Sequence, residues 1–490
     1  MLNQRLKERA EDWLVEATID DIQQALEKEE VTSKELVLMY FHRISQYDQD
    51  GVKINSVMEI NPDALHIAEA LDRERKTKGR RGPLHGIPIL LKDNIDTNDK
   101  LHTSAGSLAL KNHHAASDSL VAKQLRHAGA VILGKANMTE WANFMTDNMP
   151  NGYSSRGGQV INPYGPGELD VGGSSSGSGA SVAANLVTAA IGTETSGSIL
   201  SPASSNSVVG IKPTVGLVGR TGIIPISHSQ DTAGPLTRTV KDAAMVLSAI
   251  AGIDEEDPVT KKNPQPSVDY VSFLESKGLD GMTIGIAKEP YFEHLNEEEM
   301  ELMEHALSIL KEHGAYIVDD VKLPSQEENW DINTLIYEFK NGINAYLQQT
   351  EPHIEIKSLK DLIEFNDSHS DLMLKYGQTM LTKSEETSGT LIEPDYLNSL
   401  QKDLYLSQDR GVNAVMDEHE LDAILFPNNV GAGIPAKAGY PSISVPGGYT
   451  NKGKPLGITF TAGAFEEGKL LKIGYAFEQA SKLRKPPKLD

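Results

Sequence analysis

The sequence predicts an α/β protein in which helices cover a β-sheet. Between residues 80 and 250, short runs rich in β-branched residues alternate with helical patterns and with many glycines. Alternation of this kind is typical of a sheet covered by helices. A polar, Glu-rich segment follows at 255–420, and short apolar runs return near the C-terminus. A chain of 490 residues has room for two or three domains or for one large α/β domain.

The N-terminal region is predicted to be helical. Thr18 and Thr32 each stand three positions before an acidic residue, Asp21 and Glu35, which is the pattern of a capping box at a helix start. Apolar residues recur at roughly helical spacing after Thr32. We therefore expect a helical lead-in over residues 1–75 and an α/β domain over residues 76–490, which together can also count as one domain, 1–490.

Strands are predicted where short apolar runs are bounded by glycine, proline or polar residues. An amphipathic helix is predicted at 120–127, between the strands at 87–91 and 130–133. A last helix is predicted to begin near Glu466 and to end before Pro486. The segment 255–420 is expected to pack helices around the sheet and to shape the substrate cleft. The predicted strands are 87–91, 130–133, 282–287, 423–426 and 442–445.

Charge and composition exclude several classes of function. The formal net charge is −23, and an acidic surface repels nucleic-acid phosphates and anionic membranes. The first sixteen residues are charged throughout and lack the apolar core of a signal peptide, and the run 182–192 is about half a membrane span. We therefore expect a cytoplasmic protein that binds neither nucleic acid nor membrane.

No cofactor or metal is predicted. The chain has no cysteine, which excludes disulfides, thiol catalysis and cysteine-ligated metals. His113 and His114 are adjacent, so they cannot share one helix face, and no H-E-x-x-H motif occurs. We interpret both histidines as surface residues.

The most unusual stretch of the chain is the Gly/Ser run at 172–181. It leads into small apolar residues at 182–192 and then into a second polar turn at 193–199. A Gly/Ser run is by default a flexible linker, but linkers seldom flow straight into an apolar helix. We predict a buried helix over 180–190 that joins two serine-bearing turns. Such turns can supply a nucleophile and oxyanion-binding amides if a base lies nearby.

Gly173–Gly177 also satisfies G-x-S-x-G, the nucleophile elbow of α/β-hydrolases. That pattern would make Ser175 the nucleophile of a Ser-His-Asp esterase. A Gly/Ser run meets it by chance, no long strand precedes it, and the later histidines occupy no distinctive setting. We keep the esterase as a minor alternative.

The segment 129–135 resembles a phosphate-binding P-loop at its glycines and its lysine. Its interior is a β-strand pattern, whereas a phosphate cradle needs a flexible loop, and Ala136 replaces the Ser or Thr that would bind Mg²⁺. We interpret it as a core strand followed by a surface lysine, Lys135.

Lys92 closes the apolar run 87–91 and is the candidate base. A lysine in this position usually extends its amine to solvent. If it is buried, desolvation favours the neutral amine and lowers its pKa toward neutral pH. Ser-Lys pairs are a known variant of the serine nucleophile, so both possibilities remain open at this point. Asp93 and Asp96 are interpreted as turn or capping residues.

Taken together, these segments resemble the amidase signature family along almost the whole chain. The combination is far more specific than any one of its motifs. The matching segments are Gly82–Pro88 with Lys92–Asn94, Gly134–Trp141, Asn162–Tyr164, Gly172–Ser175, Gly192–Ile199, Val209–Thr214 and Gly439–Ser442.

The resemblance implies a single large amidase-signature domain with a mixed, twisted β-sheet covered by helices on both sides. It implies a Ser–cisSer–Lys triad in which Ser198 is the nucleophile, Ser174 relays its proton through a cis peptide with Gly173, and Lys92 is the base. The implied oxyanion hole consists of backbone N–H groups in the stretch Thr195, Ser196, Gly197 and Ser198. Ser155 aligns with a position near the leaving group.

The resemblance is strongest to bacterial peptide amidases, which remove ammonia from C-terminal peptide amides. The segments that carry it are 103–110, 156–159 and 225–235. Many relatives, including the glutaminase subunits of tRNA-dependent amidotransferases, have Arg where Leu200 stands. We therefore expect a cofactor-free amidase, a monomer or homodimer, that acts on small-molecule or peptide amides. The glutaminase subunit is the alternative.

Overall fold

An eleven-stranded mixed β-sheet runs through the computed structural model, which describes residues 3–489. This confirms the predicted α/β class and the mixed sheet. Two short strands, β4 and β5, form a separate hairpin. The strands are β1 (Val57–Ile60), β2 (Pro88–Lys92), β3 (Val131–Ala136), β4 (Tyr153–Ser154), β5 (Gly158–Gln159), β6 (Ala189–Glu194), β7 (Val209–Lys212), β8 (Thr232–Thr237), β9 (Thr283–Ile286), β10 (Tyr316–Val318), β11 (Ala423–Pro427), β12 (Ser442–Tyr449) and β13 (Pro455–Thr461).

Helices surround the sheet. Of the N-terminal ones, α3 contacts β2 and α4 contacts β3, and along the chain a long run of helices lies between β10 and β11. The α-helices are α1 (Gln4–Glu11), α2 (Ile19–Glu27), α3 (Ser33–Arg43), α4 (Ala64–Lys78), α5 (Leu120–His127), α6 (Ser176–Ala183), α7 (Leu200–Ser205), α8 (Val240–Ile250), α9 (Glu297–Glu312), α10 (Asn333–Leu347), α11 (Leu359–Ser368), α12 (Ser370–Met373), α13 (Thr379–Glu385), α14 (Pro394–Ser407), α15 (Asn413–Glu418), α16 (Gly433–Ala438) and α17 (Glu467–Ser481).

The strand order places the ends of two parallel strands side by side. The sheet runs β1-β3-β2-β6-β8-β7-β12-β13-β11-β9-β10. Strand β2 is parallel to both β3 and β6, with Ile89 opposite Ala189 and Leu91 opposite Ile191. Because carboxyl ends of parallel strands meet at one edge, Lys92 at the end of β2 and Glu194 at the end of β6 share that edge. This is the usual position of ligand sites in α/β sheets.

Most of the predicted elements are confirmed within a few residues. Both capping boxes are present, since Thr18 and Asp21, and Thr32 and Glu35, bond each other's backbone N–H groups at the starts of α2 and α3. Helix α5 has the predicted bounds, and the last helix, α17, begins one residue after Glu466. The five predicted strands correspond to β2, β3, β9, β11 and β12.

The predicted helix over 180–190 is wrong. Helix α6 begins earlier, inside the Gly/Ser run, and ends at Ala183, and strand β6 starts at Ala189. Asn185 has a positive φ of 57°, and the Arg43 guanidinium donates to the carbonyl oxygens of Ala184 and Asn185 at 3.2 and 2.9 Å. These carbonyls are thereby satisfied outside a helix. Small apolar residues suit a buried strand as well as a buried helix, so the composition did not separate the two.

The helical region packs through an apolar cluster of its own. Phe339 and Ile343 of α10 and Leu359 and Leu362 of α11 are buried together with Trp141, which follows β3. The larger cluster occupies the sheet and the helices that flank it. The helical region thus packs against the loops that follow the carboxyl ends of the central strands.

Candidate active site

Lys92 is fully buried at the end of β2. Its Nζ donates to Ser174 Oγ at 2.8 Å, to Thr193 Oγ1 at 2.9 Å and to the Thr193 carbonyl oxygen at 3.1 Å. Burial lowers the pKa of the Lys92 amine to about 7, although Asp231 and Glu194 oppose this change. An amine with that pKa can accept a proton near neutral pH, and it already touches a serine hydroxyl.

Thr193 orients the lysine from the neighbouring strand. Its hydroxyl oxygen also accepts a hydrogen bond from Asn94 Nδ2 at 3.0 Å. Asn94 follows Lys92 by two residues, so the segment after β2 and the end of β6 hold each other through one hydroxyl group. The lysine amine is therefore fixed by three acceptors that belong to rigid parts of the sheet and of the adjoining turn.

Ser174 lies in the turn before α6, and its peptide bond to Gly173 is cis. Its side chain is fully buried, and its carbonyl oxygen accepts the N–H of Thr139 at 3.1 Å. Glycine is required before it, because a Cβ on Gly173 would lie 2.5 Å from Asn151 Oδ1 and 2.8 Å from Thr139 Oγ1. The turn is thus packed, and the Gly/Ser run here is not a linker.

Ser198 stands in the second turn, between β6 and α7, and is 8% exposed. Its carbonyl oxygen accepts the N–H of Ser175 at 3.2 Å, which ties the two serine-bearing turns together. Ser174 and Ser198 are therefore brought into neighbouring turns, with Lys92 beneath the first. Ser198 is the more accessible of the two serines, as Ser174 is fully covered.

Glu194 holds the turn that carries Ser198. Its buried carboxylate accepts the N–H groups of Gly197 at 2.6 Å, Ile199 at 2.7 Å and Leu200 at 3.1 Å. Hydrogen bonds to a charged acceptor are shorter and stronger than neutral ones. The conformation of residues 195–200 is therefore fixed by one side chain at the end of β6.

The amides around Ser198 differ in their availability. Within residues 3–489, the N–H groups of Thr195, Ser196 and Ser198 have no hydrogen-bond partner, whereas the Gly197 N–H donates to Glu194. Free backbone amides beside a serine hydroxyl are what an oxyanion requires. The Gly197 amide, which was also expected in the oxyanion hole, is held by Glu194 in this structure and supports the turn.

Thr195 is anchored by a second buried acid. Its Oγ1 donates to Asp231 Oδ1 at 2.5 Å, and Asp231 Oδ2 accepts the N–H groups of Ile226 and Ser227 at 2.8 and 2.9 Å. Burial raises the pKa of the Asp231 carboxyl. Gln230 Nε2 donates to the Thr195 carbonyl oxygen at 3.1 Å. The loop before β8 thus fixes the first residue of the turn that carries Ser198.

Ser155 is held by a buried glutamate. Glu140 accepts the Ser155 N–H at 2.7 Å and the Ser155 hydroxyl at 2.9 Å, and Ser155 Oγ accepts the N–H of Leu108 at 3.1 Å. Burial raises the pKa of the Glu140 carboxyl to about 7. Ser155 itself is partly exposed. Its hydroxyl is therefore fixed in place by Glu140 and by the Leu108 N–H.

Ser175 has a structural role. Its side chain is fully buried, its Oγ donates to the Thr193 carbonyl oxygen at 3.1 Å, and it accepts the Thr193 N–H at 3.2 Å. Both hydrogen-bonding functions of the hydroxyl are thus used by one backbone unit of β6. The G-x-S-x-G pattern does not mark an exposed nucleophile here, which argues against the esterase alternative.

A model of the family described as Amidase matches residues 35–471. The chain belongs to the amidase signature family. It is accordingly a hydrolase that acts on amides. A "probable amidase" from Arabidopsis thaliana is 43% identical over 96% of this chain and 91% of its own length. A glutamyl-tRNA(Gln) amidotransferase subunit from Halorhodospira halophila is 31% identical over 95% of this chain and 97% of its own length.

Among solved structures, the native peptide amidase of Stenotrophomonas maltophilia superposes on this amidase with a TM-score of 0.92. The two are 43% identical, and the match covers 97% of this chain and 99% of the other. The single large domain and its mixed sheet are therefore those of a peptide amidase structure.

Two side chains of this amidase that were expected at the surface are buried. Lys135 is fully covered, and its Nζ donates to the Ile95 carbonyl oxygen and to Thr103 Oγ1 at 2.5 and 2.9 Å. His113 is 3% exposed and bonds Glu351 Oε2 at 2.6 Å. The surface interpretation was wrong in both cases, because it considered each residue's own segment and could not see the acceptors that tertiary contacts supply.

Sequence patterns gave no functional role to four acidic and polar supports of the amidase site: Glu140, Thr193, Glu194 and Asp231. Thr193 and Glu194 lie in a segment that matches the family, yet the match assigned them nothing. The available signal was an acid immediately before a glycine-containing turn, where unpaired N–H groups need an acceptor. Asp231 and Glu140 gave no such local signal, since they lie 36 and 15 residues from the Thr195 and Ser155 hydroxyls that they accept.

Two further properties of the described amidase chain, residues 3–489, concern membranes and metals. None of its helices has both the length and the apolar character that crossing a membrane demands. Nowhere in the same residues do three or more His, Asp or Glu side chains converge as a metal ion would require. The groups that meet at the carboxyl ends of β2 and β6 are an amine, hydroxyls, backbone amides and the carboxylate of Glu194.

Proposed function

We propose that this amidase hydrolyses linear carboxylic amides, and in particular C-terminal peptide amides, to the acid and ammonia. In this proposal Ser198 is the nucleophile, Ser174 is the proton relay and Lys92 is the base. The observation that carries it is the buried Lys92 amine, whose pKa is about 7 and whose Nζ lies 2.8 Å from Ser174 Oγ. The 43% identity to a peptide amidase over nearly the whole chain supports the substrate class.

Acylation begins with neutral Lys92. Ser198 Oγ attacks the amide carbonyl carbon while its proton passes to Ser174 Oγ, whose own proton passes to Lys92 Nζ. The carbonyl oxygen becomes an oxyanion, and the unpartnered amides of Thr195, Ser196 and Ser198 are the groups available to stabilise it. The C–N bond then breaks, the proton returns through Ser174 to the leaving nitrogen, and ammonia departs.

Deacylation uses the same relay in the same order. A water molecule gives a proton through Ser174 to Lys92 and attacks the ester carbon of the acyl-Ser198 intermediate. The ester C–O bond breaks, Ser198 Oγ recovers the proton, and the carboxylic acid leaves. No redox partner and no second substrate besides water enters either half of the reaction. Ser155, fixed by Glu140, is proposed to contact the leaving amide group.

The glutaminase subunit of a tRNA-dependent amidotransferase is the competing function. The 31% identity to the amidotransferase subunit of Halorhodospira halophila favours it to that extent. Against it, the identity to peptide amidase is higher, and Leu200, where many of those subunits have Arg, is fully buried and donates its N–H to Glu194.

Ammonia release by the purified chain alone separates these functions. The assay compares N-acetyl-L-alaninamide, a dipeptide amide and free glutamine in the absence of any partner. We expect release from the first two and little from glutamine. Absence of release from a broad panel of amides, together with glutaminase activity that appears only when partner subunits are added, would refute the proposal.

A further inference from the structure

The nucleophile turn has one open side, above Gly197. A Cβ built on this residue would lie 3.4 Å from Asn429 Nδ2 and 3.8 Å from the Ala432 Cβ, and it would meet no other atom within 4 Å beyond its chain neighbours. Elsewhere in the site a glycine Cβ would collide with its surroundings, as at Gly173. The space beside Gly197, the residue before Ser198, is therefore bounded by Asn429 and Ala432 of the segment 428–433, which follows strand β11.

In the segment 428–433, Asn428 is held by hydrogen bonds, whereas the side chain of the next residue, Asn429, is not. Asn428 Oδ1 accepts the Gly457 N–H at 2.9 Å, and its backbone N–H donates to the Gly457 carbonyl oxygen at 2.8 Å. Within residues 3–489, the side-chain carboxamide of Asn429 has no hydrogen-bond partner, and the residue is partly exposed. Asn428 thus fixes the position from which Asn429 faces the nucleophile turn.

We propose that Asn429 is a specificity-determining residue that hydrogen-bonds the backbone peptide unit of the acyl part of a peptide amide. A carboxamide carries one acceptor and two donors, which match the N–H and C=O of a peptide unit. A substrate bound with its carbonyl carbon at Ser198 passes Gly197 and so places its preceding peptide unit beside Asn429. This inference rests on the proposed function, because it names the substrate feature that the amidase site recognises.

A matched substrate pair tests the assignment. N-acetyl-L-alaninamide and propionamide have the same carbon skeleton at the scissile amide, and only the first carries the acetamido group that Asn429 would bind. For Asn429→Ala we expect kcat/KM on N-acetyl-L-alaninamide to fall roughly 10-fold, mainly through KM, because the lost contact binds ground state and transition state alike. On propionamide the change should be less than roughly twofold.

Two variants complete the design. Val430→Ala changes the exposed neighbouring side chain and should leave both substrates unaffected. Asn429→Gln keeps the carboxamide and should restore part of the discrimination. The melting temperature of Asn429→Ala should equal that of the wild type, because the side chain has no partner to lose.

The outcomes distinguish this inference from the proposed function. Selective loss on the acetylated substrate supports it. Equal losses on both substrates, or none, overturn it while the wild-type activity still supports the amidase proposal. If the wild type releases ammonia from neither substrate, the proposed function fails and the assignment of Asn429 fails with it.

Discussion

The carboxylate of Glu194 accepts the backbone N–H of Gly197 at 2.6 Å. Consecutive residues at the end of β6 therefore serve the two halves of the site, since Thr193 binds the Lys92 amine and Glu194 binds the turn of Ser198. Any shift of this strand end would move the Lys92 amine and the turn of Ser198, the proposed base and nucleophile, together. The geometry between them is consequently a property of the sheet rather than of flexible loops.

Replacing Lys92 with methionine should remove most of the activity. The side chain keeps a similar length but has no proton acceptor, and proton transfer of this kind contributes roughly 10²–10⁴-fold to a rate. We expect kcat for ammonia release to fall by about 10³. Lys212→Met is the matched control. Lys212 is also buried, and burial lowers the pKa of its amine to about 8, but its Nζ donates to the Pro213 and Tyr440 carbonyl oxygens. Near-normal turnover of Lys92→Met would contradict the triad.

Alanine substitutions at the two serines should give opposite results. Ser198→Ala is expected to abolish turnover and to prevent formation of an acyl-enzyme, which intact-protein mass spectrometry after acid quenching should detect in the wild type. Ser175→Ala should retain the adduct and most of kcat, with a loss of about 1–3 kcal/mol in the free energy of unfolding from the orphaned Thr193 N–H, since the Thr193 carbonyl oxygen still accepts from Lys92. An active Ser198→Ala and an inactive Ser175→Ala would instead support the esterase alternative.

The pH profile should report the Lys92 amine. Its pKa is lowered to about 7, so the amine is protonated and inactive as a base below that pH and neutral above it. We expect kcat/KM to rise about tenfold per pH unit below 7 and to level off above it. Burial raises the pKa of the Glu140 carboxyl to about 7 as well, so Glu140→Gln is the control. This variant should keep the rise of kcat/KM with pH below 7. A profile that falls as pH rises through 7 would exclude neutral Lys92 as the base.

Sequence patterns predicted those features that depend on a residue's neighbours along the chain. Lys92 was identified from the end of an apolar strand, and both capping boxes from residues three apart. The end of the helix at Ala183, before strand β6 starts at Ala189, was missed because Arg43, about 140 residues away, satisfies the carbonyl groups of the turn between them. The bond from the Gly197 N–H to Glu194 was not predicted, since a glycine in a turn does not indicate which acceptor its N–H meets.

Replacing Glu194 with glutamine should affect turnover more than substrate binding. The carboxamide is uncharged and has one acceptor atom where the carboxylate has two, so the amides of Gly197, Ile199 and Leu200 cannot all be satisfied. We expect kcat to fall by about 10–100-fold with little change in KM, because the turn that carries Ser198 loosens. Steady-state kinetics measures kcat and KM separately. A rise in KM at unchanged kcat would show that Glu194 serves binding instead.

Ser155→Ala should weaken substrate binding. The Ser155 hydroxyl donates to Glu140 Oε1 at 2.9 Å and keeps acceptor capacity for the amide group of a substrate. We expect KM for a peptide amide to rise about 3–10-fold with kcat within roughly twofold of the wild type, the pattern of a lost uniform contact. Ser154→Ala is the control, because the neighbouring hydroxyl is fully buried and donates to Asn137 Oδ1 at 3.0 Å. Equal KM values for Ser155→Ala and the wild type would remove Ser155 from the substrate-binding residues and leave it as a structural partner of Glu140.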